Sequence, residues 1–265
     1  MKKYQTVFTV TLANIFQYRT NFFLERLRSL ISLVTLYFLW QAVFAEQNFL
    51  FGYSREQIFT YVLISHLASF LVLLTTTGEI AGEIAGGGKF FSYLVRPVSY
   101  IKYWLAVDLG YKLVSTIFAL LEIIIFVRLF NVTVYFPLIW SIWILALGVF
   151  LLAMMLNFLL GFLVSLVAFW TQEVWAPRFL FIIILGLASG SFFPLDVLPS
   201  LGQQIISWTP FPYLVFFPAN VFLGRVVGGD LVLGLVMMFF WIGLTIAAMS
   251  ILWQKGLKIY EGGSI

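Results

Sequence analysis

Apolar residues run along this chain in six stretches, Leu27 to Phe44, Ile58 to Thr77, Tyr103 to Val127, Pro137 to Phe169, Pro177 to Phe193 and Leu231 to Trp253. Crossing about 30 Å of hydrocarbon takes a helix of about 20 apolar residues, so each stretch is predicted to span a membrane. The fourth is long enough to bend or to extend past the bilayer, and the fifth is short and runs directly into FFPLDVLP. Ahead of the first, Tyr4, Phe8, Leu12, Ile15, Phe16, Phe22 and Phe23 fall near one helical face, with Gln5, Thr9, Asn14, Gln17 and Asn21 elsewhere. That pattern predicts an interfacial helix within residues 1–23, lying on the membrane.

Residues 194–230 are too apolar and aromatic for a free loop, yet they are broken by Pro194, Pro199, Pro210, Pro212 and Pro218. A re-entrant or interfacial helical pair fits, as does an ordered aromatic belt. Composition agrees with a chain dissolved in lipid. It is 62% hydrophobic, 19% aromatic and 10% charged, and one water-soluble core cannot hide thirty phenylalanines and nine tryptophans. The predicted fold is an all-α integral membrane protein: an interfacial helix, six transmembrane helices, and a re-entrant helical segment between the fifth and sixth.

Charge decides orientation by its position. With the N-terminus inside, Lys2, Lys3, Arg19, Arg26, Arg28, Lys89, Arg96, Lys102, Arg178, Lys255 and Lys258 lie in the cytoplasm, and only Arg55, Arg128 and Arg225 lie outside. Eleven against three predicts both termini cytoplasmic. The formal charge of +4 then implies no nucleic-acid partner. Cysteine is absent, which excludes disulfides, thiolate metal sites and cysteine nucleophiles. The basic start lacks a small-residue cleavage site and reads as retained, not as a signal peptide.

The segment 78–102, GEIAGEIAGGGKFFSYLVRPVSYIK, lies between the second and third spans. A phosphate-cradling loop requires G-x-x-x-x-G-K-[ST]. Here Gly88-Lys89 supplies the lysine step, but Glu83 stands at the earlier glycine position and Phe90 at the hydroxyl position. No nucleotide-binding motif follows, and the chain is not read as an enzyme. Gly86, Gly87 and Gly88 predict a turn, Phe90, Phe91, Leu94 and Val95 an interfacial helix, and Pro97 its end.

Within the third span Asp108, Lys112, Ser115, Ala119 and Glu122 recur at four-three-four-three spacing and share one helical face. Asp108 and Lys112 can pair across one turn. This face is expected to point toward protein, either as a packing seam with an internal ion pair or as the lining of a transport path or proton relay. His66 has no metal-ligand companions and reads as a hydrogen-bonded packing residue; no metal site is predicted. Gly161 with Ser165, and Gly243 with Ala247, are spaced for close approach of another helix.

The loop GEIAGEIAGGGKFFSYLVRPVS, the outer segment FFPLDVLPSLGQQIISWTPFPYLVFFPANVFLG and the ending LWQKGLKIYEGGSI, in that order, resemble the permease subunits of type-2, exporter-like ATP-binding-cassette (ABC) transporters, in their six-span branch. The resemblance covers nearly the whole chain. It implies a plasma (inner) membrane permease that exports a lipid, drug or glycan-like substrate by alternating access. The partners it implies are a separate ATPase subunit that holds ATP and Mg, a second permease of the same or related sequence, and membrane lipid. It places Glu79, Glu83, Lys89, Arg96 and Pro97 in the region that couples to the ATPase. A proton-coupled secondary transporter or channel, with Asp108, Lys112 and Glu122 carrying protons, is the alternative.

Overall fold

The computed structural model describes residues 2–17, 19–94 and 97–262. These form eleven α-helices and one short hairpin: α1 (Lys2–Gln17), α2 (Arg19–Val43), β1 (Phe49–Leu50), β2 (Tyr53–Ser54), α3 (Arg55–Ala68), α4 (Thr77–Gly86), α5 (Gly88–Leu94), α6 (Tyr100–Phe130), α7 (Trp140–Ser165), α8 (Trp175–Ala188), α9 (Ser200–Ser207), α10 (Phe216–Phe222) and α11 (Gly228–Gly262). α7 and the segment that runs from Ser69 through α4 form the centre. α11, α10, α4 and the turn of 3-10 helix at Leu166–Phe169 pack around α7, and α1 lies along α6.

By length and composition, four helical segments among the described residues are able to cross a membrane: Arg55–Gly86, Tyr100–Phe130, Trp140–Phe169 and Gly228–Ile259. The other two predicted spans are weaker by this measure, for identifiable reasons. The apolar run of α2 is diluted by Arg26, Arg28 and Gln41. α8 has 14 residues, which at 1.5 Å each reach about 21 Å.

Local chemistry explains the element ends. Phe51 and Gly52 both take positive φ, +52° and +78°, which makes the tight turn between β1 and β2. Ser54 then opens α3 with a capping box: the Gln57 N–H donates to Ser54 Oγ (3.2 Å), and the Ser54 N–H donates to Gln57 Oε1 (3.0 Å). Asn131 closes α6 in the left-handed region at φ +49°.

The glycine-rich stretch predicted as a loop starts as helix. Ile80, Ala81 and Ile84 bury one face of α4 against α7, and this packing outweighs the low propensity of Gly78, Gly82 and Gly86. The turn falls at Gly87, φ +71°, followed by α5. Phe90 of α5 is fully buried, with its ring 5.2 Å from Tyr100, 5.6 Å from Phe169 and 5.9 Å from Trp253. This aromatic knot ties α5 to α6, α11 and the 3-10 turn that follows α7. At the N-terminus the described helical residues are those of α1, Lys2–Gln17, and of α2, from Arg19. Thr11 and Ile15 are buried, with Thr11 facing Gly110 of α6, while Phe23 of α2 is exposed and the Phe16 side chain lies outside the described residues.

Candidate functional site

The second long helix is broken inside its span. After α3 the chain widens into one turn of π-helix, Ser69–Leu73, closed by the Leu74 N–H on Ser69 O (2.8 Å). Leu74 then turns to ψ 126°, and a new helix, α4, begins at Thr77. Such a break exposes backbone groups that apolar surroundings cannot satisfy. Polar residues of two neighbouring helices satisfy them. Asn157 of α7, fully buried, donates from Nδ2 to Val72 O (2.8 Å) and Leu73 O (3.2 Å). Asp108 of α6 accepts from the Thr76 N–H (2.8 Å) and from Thr76 Oγ1 (3.3 Å). Ser165 donates to Thr77 O (2.6 Å), and the absence of a side chain on Gly161 makes room for Thr77.

Asp108 has a second role, because its Oδ2 lies 3.0 Å from Lys112 Nζ, with both side chains almost wholly buried. The sequence-predicted face of α6 is thus buried throughout: Asp108, Lys112, Ser115, Ala119 and Glu122. Its far end is held differently. Glu122 Oε2 meets His66 Nε2 at 2.9 Å and accepts from Ser29 Oγ at 3.1 Å, and its Oε1 is 3.7 Å from Arg26 Nη1. Arg26 also donates to Ser115 O (3.2 Å) and lies 3.6 Å over the Phe70 ring. Three helices, α2, α3 and α6, are therefore joined by one charged cluster. His66 is hydrogen-bonded in it, and no group of metal-binding side chains occurs among the described residues.

The other predicted residues fall at the two ends. Glu79 is exposed on α4, and Pro97 is exposed after α5. Glu83 turns inward, accepting from the Tyr100 hydroxyl at 3.0 Å. The Lys89 side chain and Arg96 lie outside the described residues. At the opposite end, Pro194 precedes a 3-10 turn (Leu195–Val197), Pro199 precedes α9, and Pro210 and Pro212 shape a second 3-10 turn (Phe211–Tyr213). Pro218 is buried within α10. α9 leaves Leu201 and Ile205 exposed, as is Trp208 just after it, whereas α10 packs inward against α3 and α7.

This end is fastened by Tyr53, which is fully buried. Its hydroxyl donates toward Asp196 Oδ2 (2.7 Å) and Asn220 Oδ1 (3.0 Å), and the Arg225 guanidinium stacks 3.4 Å above its ring while reaching both acceptors at 3.1 Å. Burial first, and the Asp196 carboxylate next, push the Tyr53 phenol above its ordinary pKa.

A cavity of about 490 Å³ opens between α2, the broken helix, α7 and α8. Arg26, Arg28, His66 and Arg178 line it together with Thr75, Thr77 and Gly78, and its walls continue into apolar side chains of α8. The Arg178 guanidinium occupies the space that a Cβ on Gly78 would take. Sequence reasoning missed Arg26, Thr76 and Asn157 as members of these networks. Only Asn157, a lone amide in the middle of an apolar run, carried a signal.

A family model described as "ABC-2 family transporter protein" matches residues 30–264. Comparisons with curated proteins and with solved structures give no match.

Proposed function

The chain belongs to the ABC-2 transporter family, membrane subunits that carry transport and work with an ABC ATPase subunit, and from that premise we propose how this permease is driven. α2, the broken helix α3–α4, α6, α7, α8 and α11 cross the plasma membrane with both termini in the cytoplasm, and α1 lies on the inner surface. The asymmetry of lysine and arginine supports this orientation. α4 and α5 then form a cytoplasmic hairpin against which the ATPase subunit docks.

The observation that carries this reading is the break at Leu74–Thr76. It divides the second span into an outer part and a separate helix that ends in the proposed docking hairpin. ATP binding, with Mg, closes a pair of ATPase subunits and displaces the hairpin. The displacement passes through Phe90 to α6, α11 and the 3-10 turn that follows α7, and through the break to α3. Two permeases, identical or related, form a pathway that alternates between the two sides and exports a lipid, drug or glycan-like substrate. Glu79 and Pro97, both exposed, supply contacts to the ATPase together with Lys89 and Arg96, while Glu83 holds α4 onto Tyr100.

Asp108 serves as a backbone cap and ion-pair partner and Glu122 as the hub of a cluster with Arg26, His66 and Ser29, which supports a packing role for both over proton carriage. Purification with the co-expressed ATPase, followed by reconstitution in proteoliposomes, tests the proposal. Substrate-stimulated ATP hydrolysis is expected, and the Glu83→Ala, Arg96→Ala double variant is expected to lose that stimulation while still inserting. Transport that persists without any ATPase and collapses with the proton gradient would replace this reading by the proton-coupled one.

A further inference from the structure

The cavity beside the broken helix carries more positive charge than its own residues neutralise. Arg26 is balanced by Glu122, though its Nε has no partner among the described residues. Arg28 and Arg178 also line the cavity, and among the described residues neither has a carboxylate within ion-pair distance. Among the described residues Glu25 is the one carboxylate on the lining. Glu173, near Arg178 in sequence, instead accepts the Trp175 backbone N–H at 3.3 Å.

The placement of Arg178 adds to the imbalance. It lies in the first turn of α8 and presses against Gly78 in the first turn of α4. Both are helix ends where backbone N–H groups favour anions and disfavour cations. A guanidinium set between two such ends is stabilised by an anion that contacts all three. The rest of the cavity suits an apolar attachment to that anion, since Phe181, Leu185 and Phe192 continue its wall.

We propose that this cavity binds an anionic phospholipid, with the headgroup phosphate between Arg28 and Arg178 and the acyl chains along Phe181, Leu185 and Phe192. The site deepens the transporter reading by naming a lipid ligand, and it rests on that reading only for which leaflet supplies the lipid. Arg178 offers a planar fork to two phosphate oxygens, a match that lysine makes less well. Arg28 adds charge from α2.

The test is an affinity measurement on the purified full-length chain in neutral detergent. It is titrated by thermophoresis with short-chain phosphatidylglycerol, short-chain phosphatidylcholine or inorganic phosphate. Phosphatidylglycerol is expected to bind about tenfold more tightly than phosphatidylcholine at low salt, and the advantage shrinks as salt rises. Arg28→Gln and Arg178→Gln each weaken it about fivefold, the corresponding lysine variants retain most of it, and Glu25→Gln strengthens it. Equal binding of the two lipids, or a preference unchanged in the double glutamine variant, overturns the proposal. Inorganic phosphate binding as tightly as phosphatidylglycerol overturns the lipid assignment in favour of a free anion. Should the glutamine variants fail to fold, Glu25→Gln and the salt series decide, and no response to either overturns the site. No ATPase is present, so failure here leaves the transporter reading standing, and failure of ATP-driven transport leaves this result unaffected.

Discussion

Asp108→Asn removes the charge that faces Lys112 while keeping a carbonyl oxygen for the Thr76 N–H. At 3.0 Å and an effective dielectric of about 20, the attraction between the two charges is about 5.5 kcal/mol. Lys112 is 2% exposed, and among the described residues its ammonium has no other partner, so losing Asp108 strands it. Removing one member of a buried pair costs about 3–5 kcal/mol, and that is the expected loss here. Adding Lys112→Met removes the stranded charge and is expected to restore most of the stability, to within about 1–2 kcal/mol of the parent. Reversible unfolding in mixed detergent and dodecyl sulfate micelles, followed by tryptophan fluorescence, measures both variants. An Asp108→Asn protein within about 1 kcal/mol of the parent, or a double variant no more stable than the single one, would refute the argument that the pair holds Lys112 in place.

Three further outcomes follow from the same contacts. Asn157→Leu leaves the Val72 and Leu73 carbonyls without their donor and is expected to cost about 2–4 kcal/mol in the same unfolding assay. Phe90→Ala empties the centre of the aromatic knot, with an expected cost of about 3–5 kcal/mol and faster hydrogen exchange in α5 than elsewhere, read by mass spectrometry. Tyr53→Phe is expected to cost about 1–3 kcal/mol and to change the pH profile. Because the folded protein holds the Tyr53 proton more tightly than the unfolded chain does, this contribution is complete below about pH 10 and is lost as pH rises beyond it. The parent should lose stability above about pH 10 more steeply than the variant, and parallel profiles would count against the Tyr53 assignment.

What was legible in the sequence was local. The four-residue step from Asp108 to Lys112 fixes their pairing wherever α6 packs, and the shared face that ends at Glu122 follows from the same period. Gly161 and Ser165 announced a close approach, and Thr77 makes it. The partners of Glu122 were not legible, because Arg26, Ser29 and His66 come from helices whose rotation about their axes is set only by packing. The break at Leu74–Thr76 was hidden for a different reason: the run LVLLTTTG has no proline, and what stabilises the break lies in Asp108 and Asn157, distant in sequence. Glycine misled at Gly78–Gly86, where a buried isoleucine face overrides propensity. Gly243 and Ala247 share the small-residue spacing and are both exposed, and among the described residues nothing lies within 4 Å of a Cβ placed at Gly243, so no helix of this chain makes the approach there.

The fastening of Tyr53 to Asp196 and Arg225 has a mechanical consequence. A rod clamped at one tip and jointed partway along yields to a sideways push only beyond the joint. Here the clamp sits at the start of α3, the joint at Leu74–Thr76, and the arm beyond it is α4, ten residues and about 15 Å long, seated on α7 by its buried face. Swinging that arm by about 10° carries its tip roughly 2.6 Å while its root at Thr77 barely shifts. A swing of that kind would be largest at Gly87 and the start of α5, would have to loosen Phe90 from its aromatic neighbours, and would leave the clamped tip in place as long as Thr76 stays seated on Asp108.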